Sequence, residues 1–166
     1  MIILSNYELD PISAQLFYVR GKEYVSCPSC GYGLRVVGSR KRKYINKDGD
    51  KITLVIRRLK CSNCKRIHHE LPDILIPYKR YESCNIENVL TDLKNSTVAA
   101  EESTFYRWKK WYEYLSIRIL NYFVSILSRL GKKYIIFVNI NLMTYLKKYP
   151  KWLSRIVTQL VNFNLW

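Results

Sequence analysis

Two cysteine pairs constrain this chain more than any other feature: Cys27-Pro-Ser-Cys30 and Cys61-Ser-Asn-Cys64, separated by thirty residues. A C-x2-C turn sets two thiolates on one side of a tight knuckle, each able to sit ~2.3 Å from a shared metal. Two such knuckles complete a closed tetrahedral site, so the spacing predicts one structural Zn²⁺ held by Cys27, Cys30, Cys61 and Cys64. Gly31 follows the first knuckle, where a flexible residue is often needed. Arg35, Lys60, Lys65 and Arg66 lie close enough in sequence to offset the charge of a tetrathiolate centre. The competing readings are two disulfides, a redox pair or free core thiols. A redox C-x2-C usually opens a helix in a βαβ context, whereas both pairs here flank β-like sequence. No secretory h-region forms, because Glu8 and Asp10 follow the apolar residues 1–4. Reduced thiols then suit zinc in a cytoplasmic, nucleoid-associated protein. Cys84 reads as a partly buried thiol. His68 and His69 are substitute ligands, or groups that pack or hydrogen-bond near the second knuckle.

The charge is concentrated around the same cysteines. The chain of 166 residues carries a formal net charge of +15. Between Arg35 and Arg66 stand twelve Lys/Arg opposed by Asp48 and Asp50 alone, a net of +10. A second cationic region runs from Arg107 to Arg155 and meets almost no acids. Such charge favours a polyanion, nucleic acid first and an anionic membrane surface second, with binding that weakens steeply in salt. The apolar fraction of 48% excludes a low-hydrophobicity disordered chain. No stretch offers eighteen clean apolar residues, so a transmembrane span is not expected.

Residues 1–4 and 16–25 read as short strands. Residues 34–46 and 52–59 are extended, joined by Lys47-Asp48-Gly49-Asp50, whose Asp-Gly is a specific hairpin cue. Knuckle, strand, turn, strand, knuckle is the layout of a zinc ribbon, whose folding would lean on the metal because its core is small. Residues 69–80 read as a connector bracketed by Pro72 and Pro77. From Asn85 the period turns helical: Ile86, Val89, Leu90 and Leu93 form one stripe, ended by Lys94-Asn95-Ser96. A short turn or helix over 97–101 and a third helix over 104–115 complete a helix-turn-helix, with Trp108 and Trp111 buried and Tyr106, Arg107, Lys109 and Lys110 offered to a major groove. Apolar helices fill 116–166, including runs at 115–130, 134–146 and 152–166. The predicted fold class is therefore α+β: an N-terminal four-cysteine zinc ribbon of β-hairpins over 1–82, an all-α helix-turn-helix over 83–115, and a C-terminal helical extension over 116–166.

Cys27-Pro-Ser-Cys30-Gly31, the basic hairpin, Arg57-Arg58-Leu59-Lys60-Cys61-Ser62-Asn63-Cys64, His68, Leu71-Pro72 and Pro77-Tyr78-Lys79-Arg80-Tyr81 resemble a bacterial family. That family is catalogued as a domain of unknown function and is common in Firmicutes. Ala100-Glu101-Glu102-Ser103-Thr104 with Arg107-Trp108 and Trp111 also fits its pattern, so the resemblance spans roughly 27–112. It brings no established activity. More distantly, the arrangement is similar to the zinc-ribbon and helix-turn-helix heads of insertion-sequence transposases, which recognise transposon-end DNA while a separate RNase H-like domain cuts it. This chain departs from that pattern: no Asp or Glu occurs beyond Glu113, so no carboxylate set for two Mg²⁺ ions follows.

The leading functional expectation is a non-catalytic, zinc-containing DNA-binding protein, a transcriptional regulator or mobile-element accessory factor. Phosphates would be held by Arg40, Lys41, Arg42, Lys43, Arg57 and Arg58, and bases read by Tyr106, Arg107, Lys109 and Lys110. RNA is a variant of this reading, with Tyr32, Tyr44, Tyr78 and Tyr81 as stacking platforms. The second expectation is a protein-interaction adaptor, docking through the ribbon and the apolar C-terminal helices on a partner or as a homodimer. No small-molecule substrate is expected. Catalysis is disfavoured because a site closed by four cysteines keeps no open position; Glu70 beside His68 and His69 is the one candidate group.

Overall fold

The computed structural model describes residues 1–93, 97–98, 100–129 and 138–166. Six strands form one curled mixed sheet: β1 (Ile2–Leu4), β2 (Tyr7–Ser13), β3 (Leu16–Gly21), β4 (Leu34–Ile45), β5 (Lys51–Cys61) and β6 (Ile67–Pro72). The helices are α1 (Ser83–Thr91), α2 (Glu102–Arg129), α3 (Val138–Leu146) and α4 (Trp152–Asn162). Two compact units result, residues 1–85 with 153–166, and residues 86–152.

The first unit is organised on β5. The Asp-Gly turn closes as expected: the Asn46 side-chain oxygen accepts from the backbone N–H of Asp48 and of Asp50, and β4 and β5 pair antiparallel from Leu34↔Cys61 to Ile45↔Lys51. The other edge of β5 is divided. Its first half pairs parallel with β3 over Leu16–Tyr18, and its second half pairs antiparallel with β6 over Ile67–His69. β1 then adds to β6 in parallel, and β2 to β3 antiparallel. The buried side of β5 also changes along its length. Leu54 and Ile56 are buried on one face, whereas Leu59 and Cys61, at the alternate positions, are buried on the other. A bulge between Val36 and Gly38 in β4 sits opposite this changeover and adds local twist. A strand that must bury opposite faces at its two ends cannot lie in a flat sheet, which accounts for the curl.

The zinc-ribbon and helix-turn-helix architecture is therefore overturned. The hairpin between the knuckles exists, but it is the centre of a six-stranded sheet. Residues 69–72, the start of the stretch read as a connector, belong instead to strand β6, which buries three residues in succession, Glu70, Leu71 and Pro72, and β1 pairs with it through a non-local parallel register. β2 escaped notice because YELDPIS holds a proline and two acids and exposes most of its residues, as an edge strand can. In the helical part, residues 97–98 and 100–101 are not helical. The segment expected to end at Leu115 instead runs unbroken for 28 residues as α2, because no Gly or Pro interrupts it. The predicted stop at residues 94–96 and the start of the 134–146 run lie outside the described residues.

The first unit has a full hydrophobic core, contrary to the small core expected of a ribbon. Ile2, Ile3, Leu4, Leu54, Ile56, Leu75, Ile76, Leu153 and Val157 are all almost inaccessible. Helix α4 closes it with polar contacts as well. Ser154 Oγ donates to the Asp73 carbonyl at 2.8 Å. The Asn162 amide substitutes for a missing strand beside β1: its Oδ1 accepts from Ile3 N–H at 2.8 Å and its Nδ2 donates to the Ile3 carbonyl at 2.9 Å. Asn162→Ala leaves both backbone groups of a buried residue unpaired, and is expected to lower unfolding free energy by about 2–3 kcal/mol in urea titrations.

In the second unit, Lys147 is the organising residue. Its Nζ donates to the Leu90 carbonyl at 2.8 Å and lies 4.7 Å from the Tyr112 ring centroid. Trp152 meets Tyr112 edge-on at 5.5 Å. Burial lowers the Lys147 pKa and pushes the Tyr112 phenol up to about 12.

Candidate metal centre

The two knuckles meet at the end of the β4–β5 ladder. The first precedes β4, and the second begins with Cys61, the last residue of β5. Each closes on its own backbone. The Cys27 carbonyl accepts from Gly31 N–H at 2.8 Å, and Cys61 N–H donates to the Arg66 carbonyl at 3.0 Å. The residue after each second cysteine adopts a left-handed conformation, Gly31 at φ +74° and Lys65 at φ +60°. Glycine enters that region without strain, whereas lysine does so at a cost of about 1–2 kcal/mol, held here by the knuckle. Ser62 N–H donates to the Gly33 carbonyl at 3.1 Å and ties the knuckles together.

The four sulfurs converge on one point, all within 4.8 Å of one another. Cys27 and Cys64 are 3.6 Å apart, and Cys30 and Cys61 are 3.5 Å apart. A tetrahedron with metal–sulfur bonds of ~2.3 Å has edges of about 3.8 Å, so the donor set and spacing fit a four-thiolate metal ion. None of the four is in a disulfide. The Cys30 thiol is pulled down to about 6, chiefly by the hydrogen bond from the Tyr32 backbone. Cys64 moves up to about 11: the Arg66 backbone N–H favours its thiolate, but desolvation and the three neighbouring thiols outweigh it. Such an array ionises fully only around a cation.

His68 enters as a supporting group beside the four cysteines. It is buried on β6, with Nε2 3.4 Å from Cys27 Sγ. Burial, then nearby positive charge, holds it below the ordinary imidazole range. A neutral ring can donate N–H to a thiolate and disperse its charge. Glu70, the one candidate catalytic group, is occupied: buried on β6, it receives Arg57 Nε at 2.5 Å and Nη2 at 2.9 Å. Cys84 is partly buried as expected, and burial pushes its thiol up to about 11.

Strand periodicity divides the basic residues read from the sequence. Past the bulge, the register sets Arg40 opposite Ile56 and Arg42 opposite Leu54, on the face that also carries Arg58 and its partner His69. Lys41 and Lys43 alternate onto the opposite face, with Arg57, and are exposed. Arg57 is committed to Glu70, and Arg42 Nη2 donates to the Lys79 carbonyl at 2.6 Å. Among the described residues, Arg40, Lys41, Lys43 and Arg58 have no carboxylate partner. Tyr106, Arg107, Lys109 and Lys110 lie far along the sequence in α2, exposed on its surface. Arg107 folds back on its own helix, donating to the Ser103 carbonyl at 3.1 Å.

The sequence reading missed a cavity of about 240 Å³ on the Arg40 face, lined by Met1, Arg40, Arg42, Ile56, His69, Leu71 and Tyr78. Only the basic run and Tyr78 signalled it. The register that brings β6 beside β5 could not be read from the sequence. Among the described residues, no helix is long and apolar enough to cross a membrane. No curated protein and no solved structure matches the chain. Residues 27–108, from the first cysteine of the four-cysteine cluster to Trp108 in α2, match a domain family described as a domain of unknown function, DUF6431.

Proposed function

We propose that this is a zinc-containing nucleic-acid-binding protein, DNA being its first ligand, with the β4–β5 hairpin as its polyanion-binding surface and the zinc as a structural clamp at the hairpin's base. The observation that carries this reading is the rigid presentation of unpaired cations. Eleven paired positions hold the hairpin, and Arg40, Lys41, Lys43 and Arg58 stand on it without a carboxylate partner among the described residues. Charge on an edge strand also discourages strand-to-strand aggregation, but that needs one or two lysines rather than a net of +10. A two-stranded ribbon is a known means of entering a groove or tracking phosphates. A regulator or a mobile-element accessory factor is the biological role such a surface serves.

The test is binding of labelled duplex DNA by anisotropy across a salt series. If about four phosphates are neutralised, affinity falls about a hundredfold between 50 and 200 mM salt. The double variant Lys41→Ala/Lys43→Ala is expected to shallow the log–log slope by about two contacts. No binding, or binding indifferent to salt, overturns the reading.

A second reading has its own observation. Helix α2 exposes Tyr106, Tyr114, Ile117 and Phe123, large side chains suited to a second copy of the chain. Light scattering after size exclusion, over a concentration range, decides it: a monomer throughout rejects the homodimer.

A further inference from the structure

We infer that the cavity on the Arg40 face is a site for a nucleotide phosphomonoester, free or at the end of a strand, with its phosphate against Arg40 and Arg42 and its base laid on Tyr78. The inference deepens the nucleic-acid reading and shares residues with it.

The cavity combines cationic and apolar lining. Arg40, Arg42, His69 and Tyr78 line it together with the apolar side chains of Met1, Ile56 and Leu71. Arg58 stands opposite His69 in the β5–β6 register, and Arg80 lies close enough to Arg42 to repel its charge. His69 feels Arg40 and Arg58 in the same way, after burial. Among the described residues, no acidic side chain lines the cavity. Cations gathered round a half-enclosed space without a counter-charge repel one another, and a bound anion removes that cost. A phosphomonoester carries close to two negative charges where an internal diester carries one. A space of about 240 Å³ admits a phosphate and part of a sugar, whereas an internal phosphate must bring chain in on both sides.

Two features indicate that the site is built in advance. The Arg42 guanidinium is held in place by the Lys79 carbonyl, so its remaining donors are oriented before anything binds. Tyr78 has φ +64° and is 77% exposed. A bulky residue in the left-handed region is an outlier, and such conformations cluster where ligands are held. No burial of the ring compensates the strain here. An exposed ring at the mouth of a cationic cavity is a surface on which any base can stack.

The experiment uses the full zinc-loaded chain and two short single strands of one sequence, with a 5′-phosphate or a 5′-hydroxyl, each labelled at the 3′ end. Adenosine 5′-monophosphate is the competitor. The phosphorylated strand is expected to bind about tenfold tighter, in keeping with loss or gain of a charge-assisted hydrogen-bond pair. Arg40→Gln removes that preference. Tyr78→Gly weakens the monophosphate about tenfold through lost stacking while raising the melting midpoint, because glycine relieves the backbone; a purely structural tyrosine would lower it. Saturable, Arg40-dependent monophosphate binding without an end preference assigns the site to free nucleotides. Equal binding of both strands with no saturation by the monophosphate overturns the site, even where duplex binding stands. Monophosphate binding in a protein that ignores duplex DNA keeps the site and removes the broader reading.

Discussion

Purified Cys61→Ser protein is expected to lose stoichiometric zinc and to unfold about 10 °C or more below the unsubstituted chain. Cys61 is 1% exposed and pairs with Leu34 at the end of the β4–β5 ladder. Metal binding to an array that assembles only in the folded chain contributes directly to folding free energy. For a chain of this length each kcal/mol moves the midpoint by about 2–4 °C, so a loss of several kcal/mol gives the stated shift. The distribution of the damage separates two architectures. A zinc ribbon would lose all its structure with its metal. Here Leu54, Ile56, Leu75, Ile76 and Leu153 form a core of their own, so far-UV dichroism should retain most of its strand signal at 25 °C. Hydrogen exchange should accelerate first around residues 27–36 and 59–66. Metal analysis returning no zinc from the unsubstituted protein, or an unchanged midpoint, would refute the clamp.

Glu70→Ala is expected to cost about 3 kcal/mol in chemical denaturation, the lower end of the range for breaking a buried ion pair, because the Arg57 side chain left behind is one quarter exposed. The Glu70 carboxylate is 1% exposed and holds Arg57 through two nitrogens. Arg57 is raised above its ordinary range, first by that hydrogen bond, and loses it on substitution. Arg57→Ala should be comparably destabilising, since it leaves a carboxylate buried alone, while duplex affinity per folded molecule changes little. Replacing both residues by leucine is expected to recover much of the loss. A Glu70→Ala protein as stable as the parent would mean that water reaches the pair. An Arg57→Ala protein that keeps its stability but loses DNA would return Arg57 to the nucleic-acid surface.

The four-cysteine cluster was legible because its constraint is local. Two residues between cysteines define a knuckle whatever surrounds it, and the Asp-Gly pair defines a hairpin turn within four residues. The cationic character of the hairpin was legible for the same reason, but its division was not. Arg40, Lys41, Arg42 and Lys43 are neighbours in sequence, and alternation sends them to opposite faces. Which face meets His69 and Tyr78 depends on the bulge at Val36/Gly38 and on the β5–β6 register. The helix-turn-helix failed on a boundary: periodicity marks a helical face, yet with no Gly or Pro from 102 to 129 nothing in the sequence requires a stop at Leu115.

By itself, then, the sequence determined four converging thiols, a basic hairpin between them and helices after residue 83, because short spacings and strong turn residues specify those features against any background. The tertiary structure alone decided that His68 supports a cysteine, that Glu70 neutralises Arg57, and that Asn162 completes the edge of β1. These pairings join segments 13 to 159 residues apart. They depend on which buried faces meet when the sheet curls, and no local pattern carries that information.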